Sequence, residues 1–145
     1  MAGRVSRVSA LPPGFPALRD AALGEGWKIL RVLEEDWAGG ALRFDAPGEA
    51  LFCARQDGVL AGMLGLSADP YSEENSVSRL RRLYVAPPHR GRGIGRELVE
   101  AAVEAARAHG SRMLRVRAPA PSWGFYEACG FLPAVMRSAT HIRPL

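Results

Sequence analysis

Two stretches near the start of the chain repeat apolar residues at the spacing of a helix. The first begins at Phe15, with Pro16 in its first turn, and the second begins at Ile29; each ends at closely spaced glycines. Because residues three and four apart lie on one face of a helix, these stretches predict two amphipathic helices. A short strand containing Val5 and Val8 is expected to precede them.

Apolar runs of strand length follow the two helical stretches. Residues 50–54 and 59–66 flank Gln56-Asp57-Gly58, which is typical of a tight turn, so the pattern predicts an antiparallel hairpin. Residues 78–85 and 113–116 predict two more strands.

A long amphipathic helix is predicted between these last two strands, over residues 95–108. Gly110 is placed to end it, because glycine readily adopts the left-handed conformation found at a helix C-terminus. Its apolar face is expected to contain Ile94, Leu98, Ala101, Ala102 and Ala105. A strand, a helix and a second strand in this order form a crossover, so the two flanking strands are expected to be parallel.

The end of the chain is expected to form a short helix over residues 122–129 and strands at residues 134–135 and 139–142. Together the elements predict an α/β (α+β) fold whose sheet is mixed and mostly antiparallel, with roughly six to seven strands and about four helices. The length of 145 residues suits one domain, 1–145.

Composition narrows the class of protein. Hydrophobic residues make up 48% and charged residues 23%, as in soluble globular proteins, and no apolar run approaches the ~18 residues of a membrane span. Residues 1–9 contain no apolar segment of the secretory type, so a cytoplasmic location is expected. Cys53 and Cys129 are expected to be buried and unpaired. No metal site is expected, because the histidines are scattered without ligand spacing.

The most informative segment runs from Leu83 to Leu98. An apolar strand end and two prolines precede Arg90-Gly91-Arg92-Gly93-Ile94-Gly95-Arg96, which opens the long helix. Glycines allow a tight turn and leave backbone N–H groups uncovered, while the helix N-terminus adds unpaired N–H groups and the positive end of its dipole. The segment therefore predicts a cradle for a pyrophosphate.

Two common pyrophosphate loops do not match this segment. A nucleotide triphosphate loop requires a Lys-Ser or Lys-Thr pair after its last glycine, and Lys28 is the one lysine of the chain. A dinucleotide fingerprint requires a third glycine three residues after the second, where Arg96 follows Gly93.

Arg90-x-x-Gly93-x-Gly95 behind Leu83-Tyr84-Val85 instead resembles the acetyl-CoA loop of the GNAT superfamily of N-acetyltransferases. The segment from Trp123 to Phe131, which contains Phe125-Tyr126-Glu127-Ala128-Cys129-Gly130-Phe131, is similar to a second segment of that family, Phe-Tyr-Glu-x-x-Gly-Phe. The two motifs stand in the family's order, with one helix and one strand between them. The resemblance extends from about residue 50 to the end of the chain.

The resemblance implies a splayed pair of parallel strands around an acyl-CoA site, with acetyl-CoA as co-substrate. Tyr126 would lie beside the CoA sulfur, where a phenol with a pKa near ~10 can protonate a thiolate whose pKa is near ~8.5. The two N-terminal helices would lie over the acceptor pocket. The residues expected to bind the cofactor, largely through backbone groups, are Leu83, Tyr84, Val85, Arg90, Gly91, Arg92, Gly93, Ile94, Gly95 and Arg96.

Positive charge is concentrated near this loop in a chain of net charge +4. No acidic residue lies between Asn75 and Arg96, which predicts a positive mouth for the cofactor phosphates. Nucleic acid is not expected as a partner, because no recognition motif and no interleaved aromatic residues accompany the charge. A solvated surface role is left equally open for Arg79, Arg81 and Arg82. The mouth is expected to consist of Arg79, Arg81, Arg82, Arg90, Arg92 and Arg96.

The base that would take a proton from the amine is not identified. Many members of the family have a glutamate on the strand before the glycine loop, but residues 78–85 contain no carboxylate. The family's asparagine seven residues before the tyrosine is replaced by Pro119. Other acids could attract or deprotonate an amine, although each is more often a solvated surface group; they are Glu34, Glu35, Asp36, Glu73 and Glu74.

We therefore expect an acyl-CoA-dependent N-acyltransferase that moves an acetyl group to a primary amine by direct attack in a ternary complex. The acceptor is a small molecule or a peptide amine, no membrane partner is expected, and a homodimer is left open. The alternative is a non-catalytic acyl-CoA-binding module, which the missing strand carboxylate and Pro119 permit.

Overall fold

The computed structural model describes residues 4–145. The strands are β1 (Val5–Val8), β2 (Ala50–Gln56), β3 (Val59–Ala68), β4 (Val77–Val85), β5 (Met113–Val116), β6 (Leu132–Pro133) and β7 (His141–Pro144). The α-helices are α1 (Phe15–Gly24), α2 (Ile29–Gly39), α3 (Ile94–Ala108) and α4 (Trp123–Ala128). Single 3₁₀ turns are formed by Pro87–His89 and Ala120–Ser122.

The strands form one mixed sheet in the order β1-β2-β3-β4-β5-β7-β6. The pair β4 and β5 is parallel and is connected through α3, while the other neighbours are antiparallel. The predicted fold class is confirmed. In the β2–β3 hairpin, Asp57 and Gly58 both have positive φ (52° and 79°), as a two-residue turn matched to the twist of the strands requires.

The helices cover both faces of the sheet. One core lies between the sheet and α1 and α2, and the other lies between the sheet and α3 and α4. Strand β2 illustrates how one strand serves both: Leu51 and Cys53 belong to the α1 and α2 side, whereas Phe52 and Ala54 belong to the α3 side. Successive side chains of a strand point to opposite faces, so an uninterrupted apolar run suits a sheet that is covered twice.

The predicted apolar face of α3 is wrong in part. Ala101 and Ala105 are only half-buried. The helix instead turns the larger valine side chains toward the sheet, where their burial removes more apolar surface from water than that of alanine. The buried face consists of Ile94, Leu98, Val99, Ala102, Val103 and Ala106. Gly110 has a φ of +92° after the helix, as predicted.

The positions of the last two strands also differ from the prediction. Residues 134–135 lie outside β6, and Val135 is fully exposed. The position of β7 is set by its pairing with β5, in which His141 lies opposite Val116. Local apolar character alone does not specify such a register.

Cys53 and Cys129 are buried and free, as predicted. The expectation that residues 1–9 contain no secretory segment falls in part on residues 1–3, which lie outside the described residues. Within residues 4–145, the helices are all too short or too polar to span a membrane. That residues 1–145 form one domain stays a prediction.

Candidate functional site

The parallel strands β4 and β5 separate partway along their length. They pair at Val77, Ser78 and Arg79, opposite Met113, Leu114 and Arg115, and diverge beyond that point. A cleft of about 1260 Å³ lies between the second half of β4 and the chain that follows β5. Backbone N–H and C=O groups on this side of β4 have no ladder partner, so they are available to a ligand.

A bulge in β4 lies on one wall of the cleft. Met63 of β3 is opposite Tyr84, but Gly65 is opposite Arg81, so β4 has one more residue than its partner across this step. Arg82 absorbs the extra residue with a φ of +62°, a conformation that costs a side-chain-bearing residue about 1–2 kcal/mol. An ion pair between Arg82 and Asp36 of α2, at 3.2 Å, holds it there.

The glycine loop leads from β4 into α3. Gly91 and Gly93 have φ values of +76° and +81°, and a Cβ added to Gly91 would contact nothing within 4 Å. Gly93 is the N-cap of α3, and no side chain caps the helix there. The first N–H groups of α3 are therefore left for a ligand or water, which is what an anion cradle requires.

Gly95 has a different reason to be glycine. A Cβ at this position would lie 2.9 Å from the ring of Phe125 in α4. The third glycine of the motif therefore permits α3 and α4 to pack closely, which the sequence interpretation did not anticipate.

The six arginines of the expected mouth do not gather at the loop. Arg79 lies six residues before the end of β4, a distance of ~20 Å along an extended strand. At the loop itself, Arg96 donates a hydrogen bond to the carbonyl oxygen of Ala128 at 2.9 Å, and the Arg92 side chain is exposed. Within the described chain, the single positive mouth expected around the glycine loop is replaced by arginines spread along the whole cleft.

Arg90 is part of a cluster that connects the end of β4 to the segment between α1 and α2. Its guanidinium donates to both carboxylate oxygens of Glu25, at 2.7 and 3.0 Å, and to the carbonyl oxygen of Val85 at 2.9 Å. The Tyr84 hydroxyl donates to the same carboxylate at 2.5 Å. Hydrogen bonds from Arg90 and then Tyr84 lower the pKa of Glu25, whereas burial and the bond to Glu25 raise the pKa of Tyr84.

Glu25 was not among the acids considered from the sequence. It lies in the connection from α1 to α2, beyond the end of α1, and it lines the cleft. The considered acids are placed elsewhere: Glu34 pairs with Arg19, Asp36 pairs with Arg82, and neither lines the cleft. Gly24 and Gly26 around Glu25 indicated only the end of a helix. Glu25 and Tyr84 are separated by 59 positions in the sequence, so no local pattern indicated their contact.

Tyr126 lies in α4 on the wall of the same cleft. Its ring is buried, and it packs edge-on against Phe125 and Phe131 at centroid distances of 5.1 and 5.6 Å. Burial raises the pKa of Tyr126 above its ordinary value, and no side-chain hydrogen bond contributes to the shift. The phenol therefore stays protonated at neutral pH. Pro119 lines the cleft as well, just before the second 3₁₀ turn.

Comparison with known proteins places this geometry in a family. The model of the acetyltransferase (GNAT) family matches residues 15–131. Streptothricin acetyltransferase of Streptomyces lavendulae is 34% identical over 109 residues, which are 73% of this chain and 56% of that protein. The chain thus spans little more than half the length of this curated relative.

Solved structures share the fold. A provisionally assigned acetyltransferase from Exiguobacterium sp. 255-15 superposes with a TM-score of 0.87 at 22% identity, over 99% of this chain and 94% of that one. N-acetylglutamate synthase from Neisseria gonorrhoeae, in complex with coenzyme A and N-acetyl-glutamate, superposes with a TM-score of 0.69 at 17% identity, over 100% of this chain and 36% of that one. At these identities the likeness concerns the fold alone.

Proposed function

The chain belongs to the acetyltransferase (GNAT) family, and from that premise we propose that it is an N-acyltransferase that moves an acetyl group from acetyl-CoA to a primary amine. The observation that carries the proposal is the cleft between the diverging halves of β4 and β5. It reaches from the uncapped N-terminus of α3 to the hydroxyl-bearing residue Tyr126.

The residues at the loop fit a pyrophosphate. Gly91 leaves open space where a side chain would stand, and the first turn of α3 offers N–H groups that no side chain caps. We assign the phosphates to the backbone of residues 91–96 and the pantetheine amides to the edge of β4 at Leu83 and Val85, which has no neighbouring strand and where the Val85 carbonyl oxygen already accepts one hydrogen bond from Arg90. Acetyl-CoA supplies the activated acyl group as a thioester.

Within this proposal, Tyr126 has the chemical role. The amine nitrogen forms a bond to the acyl carbon while the carbon–sulfur bond breaks. The Tyr126 hydroxyl gives its proton to the departing sulfur and regains one from the nitrogen of the new amide, directly or through water, so that one proton passes from nitrogen to sulfur. The raised pKa of Tyr126 keeps that proton in place throughout the neutral range. A backbone N–H near the bulge at Arg82 would polarise the acyl carbonyl.

The described lining of the cleft contains one carboxylate, Glu25, and one histidine, His89. His89 lies in the 3₁₀ turn that leads to the glycine loop, where we assign the phosphates, and its Nδ1 is 2.8 Å from Oε1 of Gln56. Hydrogen bonds to Arg90 and Tyr84 lower the pKa of Glu25, which makes it a weak proton acceptor. We infer that the amine loses its proton to water. Because an ammonium ion with an ordinary pKa is mostly charged at pH 7, the rate should rise toward alkaline pH.

The test has a binding part and a turnover part. Acetyl-CoA and CoA should raise the melting temperature, because a ligand that binds only the folded state stabilises it by mass action. Acetyl transfer should then be measured by thiol release with a panel of primary amines that includes streptothricin, the acceptor named for the curated relative. The absence of a thermal shift at saturating acetyl-CoA would refute the cradle.

The same experiment decides the alternative function. A non-catalytic acyl-CoA-binding module remains the second candidate because Pro119 and the carboxylate-free strand β4 depart from the family's pattern. A thermal shift with acetyl-CoA, without turnover of any amine between about pH 7 and about pH 9.5, would support the module and refute the enzyme.

A further inference from the structure

A second cavity adjoins the cleft at the end away from the glycine loop. Its volume is about 380 Å³, and its lining consists of Tyr71, Arg79, Arg117, Arg137 and Ser138. Tyr71, Arg79 and Arg117 also line the cleft, so the two volumes share a wall. Arginine predominates in this described lining, and none of its residues is acidic.

The parallel register of β4 and β5 brings the arginines together. Arg79 lies opposite Arg115, Arg81 follows two residues later on β4, and Arg117 follows Arg115 by two residues, directly after the end of β5. Residues two apart on a strand share a face, so these side chains lie on the same side of the sheet. Leu80 belongs to the α3 core, which places the arginines on the opposite face, toward α1 and α2. The segment before β7 supplies Arg137 and Ser138.

One buried carboxylate compensates only part of this charge. The Asp69 side chain is fully buried; it accepts a hydrogen bond from Arg115 at 3.1 Å and lies 3.8 Å from Nη1 of Arg79. Nη1 of Arg79 and Nε of Arg115 are buried without a hydrogen-bond partner. Among the described residues, the guanidinium of Arg117 donates one long hydrogen bond, to the carbonyl oxygen of Arg137 at 3.4 Å.

Such an arrangement is unfavourable without an anion. Burial lowers the pKa of Arg79, and Asp69 opposes this shift without reversing it, while Arg117 and Arg115 lower the pKa further. Buried donors without acceptors are rare in folded proteins, and here two guanidinium groups share one buried carboxylate, which leaves net positive charge in the wall of the cavity. The Arg79 side chain is nine-tenths buried, and it stacks on the Tyr71 ring at 5.0 Å, which fixes it in the wall of the cavity.

We propose that this cavity binds an oxyanion, a carboxylate or a phosphate, that is part of the amine acceptor. The inference rests on the proposed function, which places the acyl group near Arg82 and Leu83 in the second half of β4. Guanidinium groups bind both oxyanions through paired N–H donors. An acceptor with additional ammonium groups would meet like charge here. The amine and the oxyanion should be separated by ~10–13 Å, the length of three to four residues of strand between Arg79 and Arg82 or Leu83.

Matched acceptors test the charge. Linear ω-amino acids of increasing length should be compared with their amides, which keep the amine and lose the anion, and with aminoalkyl phosphates of the same length. The acids or the phosphates should exceed the amides in kcat/KM by about 10-fold or more, on the scale of one charge-assisted hydrogen bond. The preference should grow as the chain length approaches the proposed span. Equal kcat/KM for acid, phosphate and amide at every length would overturn the proposal.

Variants locate the preference. Arg137→Gln and Arg117→Gln change exposed side chains, so the fold is expected to persist. Each should raise KM for the anionic acceptor by about 10-fold, with kcat and the KM for acetyl-CoA unchanged. Arg107→Gln, an exposed arginine on α3, is the matched control and should behave as wild type. An anion preference that survives both cavity variants would refute the assignment to this cavity.

The outcome stays interpretable if the enzyme proposal fails. In the absence of turnover, melting should be followed with inorganic phosphate at saturating CoA, so that the glycine loop is already occupied. Stabilisation by phosphate that is lost in Arg137→Gln and kept in Arg107→Gln would support an oxyanion site in a binding module. The lack of any phosphate effect in wild type would overturn it.

Discussion

Replacement of Tyr126 by phenylalanine separates the proposed chemistry from folding. The ring is buried between Phe125 and Phe131, and the variant keeps that packing while it removes the hydroxyl. Because no side-chain hydrogen bond contributes to the environment of this hydroxyl, its loss should change the free energy of unfolding by less than about 1 kcal/mol. Turnover should fall about 100-fold, which corresponds to about 2.7 kcal/mol in the barrier.

The assay combines binding, rate and a matched variant. The affinity for acetyl-CoA measured by calorimetry should stay near that of wild type, and kcat should fall while the KM for acetyl-CoA stays unchanged. Tyr84→Phe makes the same chemical change on the opposite wall, where the hydroxyl is bonded to Glu25. That variant should lower the melting temperature, and its kcat should fall far less than that of Tyr126→Phe.

Two results would refute the reasoning about Tyr126. Wild-type kcat in Tyr126→Phe would mean that water or another donor protonates the sulfur, and that the ring serves only the core. Loss of acetyl-CoA binding in the folded variant would mean that the hydroxyl positions the ligand. The pH profile adds a check: the alkaline rise expected from the acceptor amine should be present in wild type and variant alike.

Three further predictions concern the glycine loop, the Glu25 carboxylate and the buried carboxylate of Asp69. Gly93→Ala and Gly110→Ala both place a side chain at positive φ, +81° and +92°. Each should lower the free energy of unfolding by about 1–2 kcal/mol. Only Gly93→Ala should weaken acetyl-CoA binding measured by calorimetry. Glu25→Gln should lower the melting temperature at about pH 7. Because the pKa of Glu25 is lower in the folded state, the difference between wild type and variant should fade as the pH falls from about 4.5 through the folded-state pKa. A difference that stays constant down to about pH 3 would contradict the hydrogen-bond account. Asp69→Asn should cost about 3 kcal/mol in urea denaturation, because it leaves two buried arginines without their counter-charge; a loss within 0.5 kcal/mol, roughly that of an ordinary surface change, would argue against the network.

Local residue choice was sufficient for most elements of the fold. The turn at Asp57 and Gly58, the positive φ at Gly93 and Gly110, and the helix between β4 and β5 all depend on residues within a few positions of one another. Such features are determined by steric limits on the backbone and by the spacing of apolar side chains, which the sequence shows directly. The two motifs that indicated the family belong to this class.

Contacts between residues far apart in the sequence could not be predicted from local patterns. Gly95 is required by the ring of Phe125, and Arg90 is held by Glu25, 65 residues away. The position of β7 follows from its register with β5 rather than from its own apolar residues. Each of these contacts depends on how two elements lie against each other, and the composition of either element is compatible with several arrangements.

The sequence by itself determined the order of the elements, the parallel crossover and the glycine loop, because these follow from backbone conformation and local periodicity. The tertiary structure alone decided where the charges lie. From the sequence, solvent and the cofactor were equally open as the surroundings of Arg79. The register of β4 and β5 places it opposite Arg115, with both arginines beside Asp69, and Arg79 lines a cavity away from the loop. The interaction between two charges weakens with the distance between them, so it depends on how the fold places groups that are far apart in the sequence.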